Sequence, residues 1–322
     1  MSFSETFRNK RVLITGATGF IGSRLIQQLL PRGAKIHALT PRASNLNRIE
    51  NVKSRIALHK ADITDCGRVK KLIRSLKPQI IYHLAGYGTR AEHADLKKMA
   101  EVNIMGLVNL LEGLESVPFE CFVNSGSSAE YGPKYAPMQE SQILEPNTYY
   151  GATKAAGDLL LQAFGKLRPK KVLTFRLFYV YGPGEELVRF IPTVVQTCLD
   201  GRTLKLTSRK EKKDFVFIDD VIDAYLMAPR SKINGPNIIN IGTSVESTLG
   251  KVIKTVEHYV GKKLKVIEGA YQNRSWDSDC WAADIRKARD ILGWQPTHNL
   301  ETGLRKTIDW ISSCCPQAGS IR

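Results

Sequence analysis

The sequence predicts an α/β protein, a doubly wound parallel sheet carrying a smaller C-terminal α/β lobe. Three observations lead there. Residues 11–30 read as strand, glycine turn and helix; apolar β-runs then alternate with helical periodicity as far as about residue 178; and beyond Tyr179 this rhythm gives way to shorter elements.

The first unit sets the pattern. Arg11-Val-Leu-Ile-Thr15 is a short apolar β-run, Gly16-Ala-Thr-Gly19-Phe-Ile-Gly22 is a turn, and residues 23–30 carry apolar side chains at helical spacing. Such a turn suits a pyrophosphate. Gly16 lets the chain leave the strand sharply, Gly19 admits phosphates close to the backbone, and Gly22 lets helix and strand pack closely. The helix start then points free N–H groups and the positive end of its dipole at the anion. The G-x-x-G-x-x-G spacing differs from that of the commonest dinucleotide sites, and a glycine-rich turn in an ordinary α/β protein reads the same way.

Further strands are expected at residues 35–39, 55–60, 80–84, 121–125 and 171–176, with helices at 64–75, within 94–115 and at 149–166. Units of this length imply parallel strands, right-handed crossovers and ligands at the strands' carboxyl ends. Residues 1–178 therefore read as a Rossmann-type dinucleotide-binding domain, to which residues 215–241 return. Residues 179–214 and 242–312 form the lobe, and 313–322 a loose tail. In this second half, helices are expected at 190–199, 220–227, 249–260 and 300–312, with strands near Leu204 and Phe215 and at 237–241 and 264–267.

Composition narrows the classes. No apolar run reaches the roughly 18 residues of a membrane span, and the first residues lack a basic-then-apolar export signal, so a cytoplasmic protein is expected. Six cysteines show no C-x-x-C spacing, which argues against a zinc site or disulfide framework. Lys and Arg number 47 against 31 Asp and Glu, a net charge of +16 that suits an anionic partner. The basic residues are spread along the chain, however, and the densest cluster, Arg209-Lys-Glu-Lys-Lys213, contains an acid and no aromatic residue. Nucleic acid is thereby disfavoured, and a phosphate-rich small molecule fits better.

The second strand ends in Thr40-Pro-Arg42-Ala-Ser44, without the carboxylate that accepts from the adenosine ribose hydroxyls. The Arg42 guanidinium, with the Thr40 and Ser44 hydroxyls, instead suits a 2′-phosphate. NADP(H) is therefore favoured, and NAD(H) stays open if Arg42 is only a surface charge. Asp62, after the third strand, is placed to accept from the adenine amino group or to cap the next helix.

Tyr150 and Lys154 stand four residues apart on one helical face. An ammonium and a positively charged nicotinamide would lower the phenol from its ordinary pKa of about 10. Tyr150 then exchanges a proton with a substrate oxygen as a hydride moves to or from carbon. Ser127, in Ser125-Gly-Ser-Ser128 at the end of a strand, is our choice to hold that oxygen, although alone it reads as a turn or cap serine.

With these residues in place, the chain resembles the extended short-chain dehydrogenase/reductase family, in its branch of nucleotide-sugar epimerases, dehydratases and 4-ketoreductases. The resemblance runs from about Lys10 to Trp310. It is carried by the glycine turn, Ala61-Asp-Ile63, His83-Leu-Ala85, Val102-Asn-Ile-Met-Gly106, Ser127 ahead of Tyr131-Gly132, and Tyr150 with Lys154. Arg176-Leu-Phe-Tyr-Val-Tyr-Gly-Pro-Gly184, residues 214–220 and Leu292-Gly-Trp-Gln-Pro296 complete it. It implies cofactor contacts from Gly16, Gly19, Gly22, Tyr150 and Lys154, and adds Thr18, Phe20, Ile21, Ile63, Leu84, Ala85, Gly86 and Asn103. It also implies a lobe that grips a nucleotide-diphosphate sugar, with Lys213, Arg274 and Arg189 near the pyrophosphate and Ser127 and Tyr179 facing the sugar, and a homodimer through the helices at 102–114 and 149–166. Three positions depart from the family pattern: Lys213 replaces a usual Arg, Tyr179 a frequent Asn, and Ala85-Gly86 a pair of alanines.

Family dehydratases carry acids just after the reacting Ser or Thr, whereas this chain has Ser128 and Ala129. Dehydration is disfavoured. With Thr40-Pro-Arg42 pointing to NADPH, the expected reaction is reduction of the C4 keto group of a nucleotide-linked 4-keto-6-deoxyhexose. The alternatives are an NAD-dependent 4-epimerase and, from another class, a non-catalytic cofactor- or RNA-binding regulator.

Overall fold

The computed structural model describes residues 3–89, 93–168, 170–271 and 280–314. In chain order they form α1 (Phe3–Phe7), β1 (Arg11–Thr15), α2 (Phe20–Leu29), β2 (Lys35–Thr40), β3 (Ala57–Lys60), α3 (Cys66–Leu76) and β4 (Ile80–His83). Next come α4 (Leu96–Ala100), a π-helical turn (Glu101–Met105), α5 (Gly106–Leu114), β5 (Cys121–Ser127), α6 (Tyr149–Leu167), β6 (Val172–Leu177) and β7 (Tyr179–Tyr181). The remainder is α7 (Phe190–Leu199), β8 (Thr203–Lys205), β9 (Lys212–Phe217), α8 (Ile218–Met227), β10 (Pro236–Ile241), β11 (Glu246–Thr248), α9 (Leu249–Val260), β12 (Lys265–Ile267), α10 (Arg286–Leu292) and α11 (Leu300–Cys314).

Seven parallel strands make one sheet in the order β10-β6-β5-β4-β1-β2-β3. The chain leaves β1 toward β2 and β3, then crosses back to β4 on the other side. The order therefore reverses between β1 and β4, opening a crevice at their carboxyl ends. Both faces are covered, so central strands such as β4 and β6 are buried at every residue, and near-continuous apolar runs mark them in the sequence. One core lies where α2 and α8 pack; the other holds side chains of α3 and α5.

The second half divides. Helix α8 packs on α2, with Arg24 Nε 2.8 Å from Asp219 Oδ1, and β10 joins the large sheet beside β6. Strand β9 instead pairs with β7 and β11 in a small separate sheet, and β8 pairs with β12. Two buried fastenings order this half, the first within the lobe and the second between the lobe and the sheet domain. The buried Asp214 carboxylate accepts from Thr243 N (2.7 Å), Thr243 Oγ1 (2.6 Å), Ser244 N (3.0 Å) and Ala283 N (3.0 Å). Trp294, 1% exposed, donates its indole N–H to Asp220 O at 2.8 Å.

Three features differ from expectation. Strands β7 and β11 have three residues each, too short for a period to show, and exist because β9 pairs with both. The helix within 94–115 is interrupted by the π turn, which carries Asn103. The cap of α3 is Asp65, whose Oδ1 accepts from Arg68 N at 3.0 Å, while Asp62 accepts from Thr64 N at 2.9 Å in a local turn.

Candidate active site

The crevice between β1 and β4 begins at Gly16, whose φ is +66°. A Cβ there would sit 2.6 Å from Leu84 C and 2.7 Å from Ala85 N. On Gly22 it would fall 2.3 Å from Gly16 O. Only glycine admits this approach of turn, helix and neighbouring strand. Helix α2 starts behind Gly19 with no side chain capping it, so its first-turn N–H groups are available to an anion. The cradle fits the diphosphate of a dinucleotide.

The opposite wall is held by a buried pair. Thr15 Oγ1 lies 2.8 Å from His83 Nδ1 and accepts from Ala85 N at 3.2 Å. This fixes residues 84–86 against the glycine turn. Burial, with the nearby Lys154 charge, pushes the imidazole down to about 3, so His83 is neutral. Asn103 extends the support: Oδ1 accepts from Tyr87 N (2.8 Å), and Nδ2 donates to Tyr87 O (2.8 Å) and Thr153 Oγ1 (2.9 Å). Its amide thereby orders the loop after β4. Beyond the ends of β2 and β3, Arg42 and Asp62 are exposed, as is Gly86 beside Asn103 and Lys154, whereas Thr40 is buried, with its hydroxyl sealed from solvent and unpartnered. That hydroxyl is not presented to a 2′-phosphate. The Ile63 side chain is core, and its carbonyl accepts from Asn109 Nδ2 at 2.9 Å. Thr18, Phe20, Ile21, Leu84 and Ala85 remain partly accessible along the crevice.

At the mouth stand Ser127, Tyr150 and Lys154. Strand β5 ends at Ser127, and Thr148 caps α6 by accepting from Gly151 N at 3.0 Å, which sets Tyr150 in the first turn and Lys154 one turn on. The Ser127 side chain acts on the Tyr150 phenol. Burial pushes that phenol up to about 12; Ser127 lowers it, the Glu130 carboxylate raises it and the Arg189 guanidinium lowers it. Arg189 is thus a cation acting on Tyr150, which helix spacing did not indicate. Burial lowers the Lys154 ammonium while the carboxylates of Glu130 and Asp158 raise it.

The expected substrate residues flank this trio. The Tyr179 ring packs edge-on to Phe215 at 4.9 Å between centroids, beneath the Arg189 guanidinium at 5.6 Å. Arg189 Nη1 donates to Thr89 O at 2.8 Å. Two residues before Phe215 on β9, Lys213 Nζ lies 2.9 Å from Glu211 Oε1 and 4.9 Å from the Trp281 ring centre, and Trp281 Nε1 donates to Ser128 Oγ at 3.1 Å. Arg274 lies outside the described residues. Trp281 was not anticipated, since a lone Trp beyond β11 carries no pattern. Glu130 and Asp158 had usable signals: Ser127-Ser-Ala-Glu130 is a capping-box sequence, and Asp158 follows Lys154 by four residues.

Among the described residues, no cluster of three or more His, Cys, Asp or Glu could hold a metal, and no helix is long and apolar enough to cross a membrane.

A glycine-lined crevice at the switch point of a doubly wound sheet, with Ser, Tyr and Lys at its mouth, defines the dinucleotide-binding class of α/β proteins. Within that class, the chain belongs to the NAD dependent epimerase/dehydratase family, which matches it over residues 12–242. It is 31% identical over 311 residues to a UDP-glucose 4-epimerase of Mycolicibacterium smegmatis, covering 93% of this chain and 98% of that one. The fold is similar to UDP-glucuronic acid 4-epimerase from Bacillus cereus in complex with UDP-glucuronic acid and NAD, with TM-score 0.86 and 27% identity over 94% of this chain and 99% of that one. It is also similar to a UDP-glucose 4-epimerase of Thermus thermophilus in complex with NAD, with TM-score 0.84 and 28% identity over 94% and 98% of the two chains.

Proposed function

We propose that this protein is an NAD-dependent nucleotide-diphosphate-sugar 4-epimerase acting on a UDP-hexose or UDP-hexuronate. The observation that carries the reading is the end-to-end match to a UDP-glucose 4-epimerase together with a complete Ser127, Tyr150 and Lys154 arrangement. NAD is favoured because the similar epimerase structures hold NAD and because the Thr40 hydroxyl is buried and not offered to a 2′-phosphate. The reductase reading loses the Thr40 hydroxyl, one of the groups behind it, while Arg42 stays exposed.

When bound, NAD would accept a hydride from the sugar carbon and return it, so that no redox partner is consumed. The protein's part is proton handling and placement. Tyr150 takes the proton of the reacting hydroxyl and gives it back, Ser127 holds that oxygen by a hydrogen bond, and Lys154 steadies the phenolate. Two cations on the flanks, Arg189 and Lys213, supply charge for the nucleotide diphosphate, with Arg274 as a third candidate by sequence. The absence of an acid at Ser128 and Ala129 leaves no group for eliminating water. The reading includes a homodimer through the π turn with α5 and through α6, supported by Met105, Leu159 and Leu160, which are 50%, 58% and 39% exposed on those helices.

The test is to incubate purified protein with UDP-glucose or UDP-glucuronate, without and with added NAD, and follow the 4-epimers by NMR. Interconversion without net cofactor consumption is expected. NADPH oxidation coupled to a 4-keto sugar, with no interconversion, would instead establish the reductase.

A further inference from the structure

Beneath the mouth of the site, one arginine joins the two elements that carry the reacting residues. Arg176 on β6 is 1% exposed, and the side chains of Glu130 and Asp158 are 0% exposed. Arg176 Nε donates to Glu130 Oε2 at 2.7 Å, and Arg176 Nη2 donates to Asp158 Oδ2 at 2.6 Å. Each carboxylate leads to a different half of the site. Glu130 Oε1 accepts from Ser127 N at 2.7 Å, while Ser127 Oγ accepts from Ala129 N at 3.2 Å. Asp158 lies one turn beyond Lys154 on the same face of α6, and both carboxylates act on the Lys154 ammonium.

The cluster has little freedom. A Cβ on Gly126 would sit 2.6 Å from Glu130 Oε1, so the carboxylate fills the space that glycine leaves. The guanidinium lies 4.6 Å from the Tyr131 ring centre, and Tyr131 Oη donates to Asn240 Oδ1 at 2.7 Å. Two carboxylates and two cations, Arg176 and Lys154, balance in charge. Buried ion pairs add little stability compared with a packed apolar core, but a planar guanidinium fixes the direction of each partner.

We propose that Arg176 is a positioning residue that sets the separation between Ser127 and the Tyr150–Lys154 helix, acting through Glu130 on one arm and Asp158 on the other. This rests on Ser127, Tyr150 and Lys154 being the reacting groups. The guanidinium's Nε and Nη2 donors hold one carboxylate just after β5 and one on α6, and a lysine at 176 keeps the charge but loses the fork.

Two readouts test it. Amide hydrogen exchange of the full chain with NAD is independent of which sugar reacts. Arg176→Lys is expected to speed exchange about tenfold in residues 121–131 and 149–158 together, with β1 to β3 unchanged. Unchanged exchange, a rise in one segment only, or a uniform rise throughout the chain overturns the proposal. Should Arg176→Lys not fold, Glu130→Gln and Asp158→Asn, which keep shape and lose charge, are expected to loosen the first and second segments respectively; no change in either overturns it. In turnover, Glu130→Gln is expected to lower kcat about tenfold to a hundredfold with KM within about twofold, and to have almost no further effect in Ser127→Ala. Losses that multiply in the double variant overturn the Glu130 arm. A wild-type protein that turns over no nucleotide sugar would sink the proposed function, and the exchange measurement would still judge the clamp.

Discussion

In the proposed reaction Tyr150 handles the proton, and burial pushes its phenol up to about 12. On that reading a bound, positively charged nicotinamide would supply the charge that lowers the phenol and lets it act as a base. Tyr150→Phe is expected to lower kcat about 10²- to 10⁴-fold while NAD binding by fluorescence titration stays within a few fold. A variant with wild-type turnover would remove Tyr150 from the reaction. A second residue-scale prediction concerns acid stability. His37 is pushed down to about 4 by burial, by His59 3.0 Å away and by Arg11, and buried His83 down to about 3. Folded pKa values below the unfolded value near 6.5 mean that the unfolded chain binds more protons in this window. Their stabilisation is present above about pH 6.5 and is lost as pH falls through about 4 and then 3. His37→Gln should lose less melting temperature than wild type between pH 7 and 4. Equal losses would show that the histidine pair plays no part.

At the scale of elements, the glycine turn is the least replaceable piece. Gly16→Ala places a side chain at φ +66° and against the backbone of Leu84 and Ala85. A cost of about 2–4 kcal/mol is expected from left-handed strain plus displaced backbone, read as a lower denaturation midpoint, with weaker NAD binding. Wild-type stability and NAD affinity would contradict the packing described for the crevice. The legibility of elements follows a physical rule. The strand–turn–helix unit and the helices at 190–199 and 249–260 were readable because their apolar residues repeat locally. The ends of β3, α3 and β5 moved by one or two residues, since a cap such as Asp65 and a pairing such as Ser127 with Leu177 are not visible as periodicity.

For the whole molecule, Trp294 ties the lobe to the sheet domain while Asp214 holds segments of the lobe together, and Trp281 reaches Ser128 from the lobe as Arg189 covers Tyr179. The exposed face of α6 and of the π turn points outward from that assembly. If it forms the proposed dimer, Leu159→Glu should convert a dimer to monomers in sedimentation at micromolar concentration, since burying an unpaired carboxylate at an apolar contact costs several kcal/mol. A wild-type monomer, or a variant that stays dimeric, would place the contact elsewhere or remove it.

By itself, the sequence determined the parallel sheet and the glycine cradle, and it singled out Tyr150 and Lys154 as candidates. These depend on local spacing: apolar periodicity, glycines three apart, and a Tyr and Lys one helical turn apart. Tertiary structure alone decided that Thr40 faces inward, that Arg189 acts on the Tyr150 phenol, and that Arg176 joins Glu130 to Asp158. Those facts rest on burial and on contacts between residues far apart in the chain, where a side chain's partners are set by strand order and packing and leave no trace in local spacing.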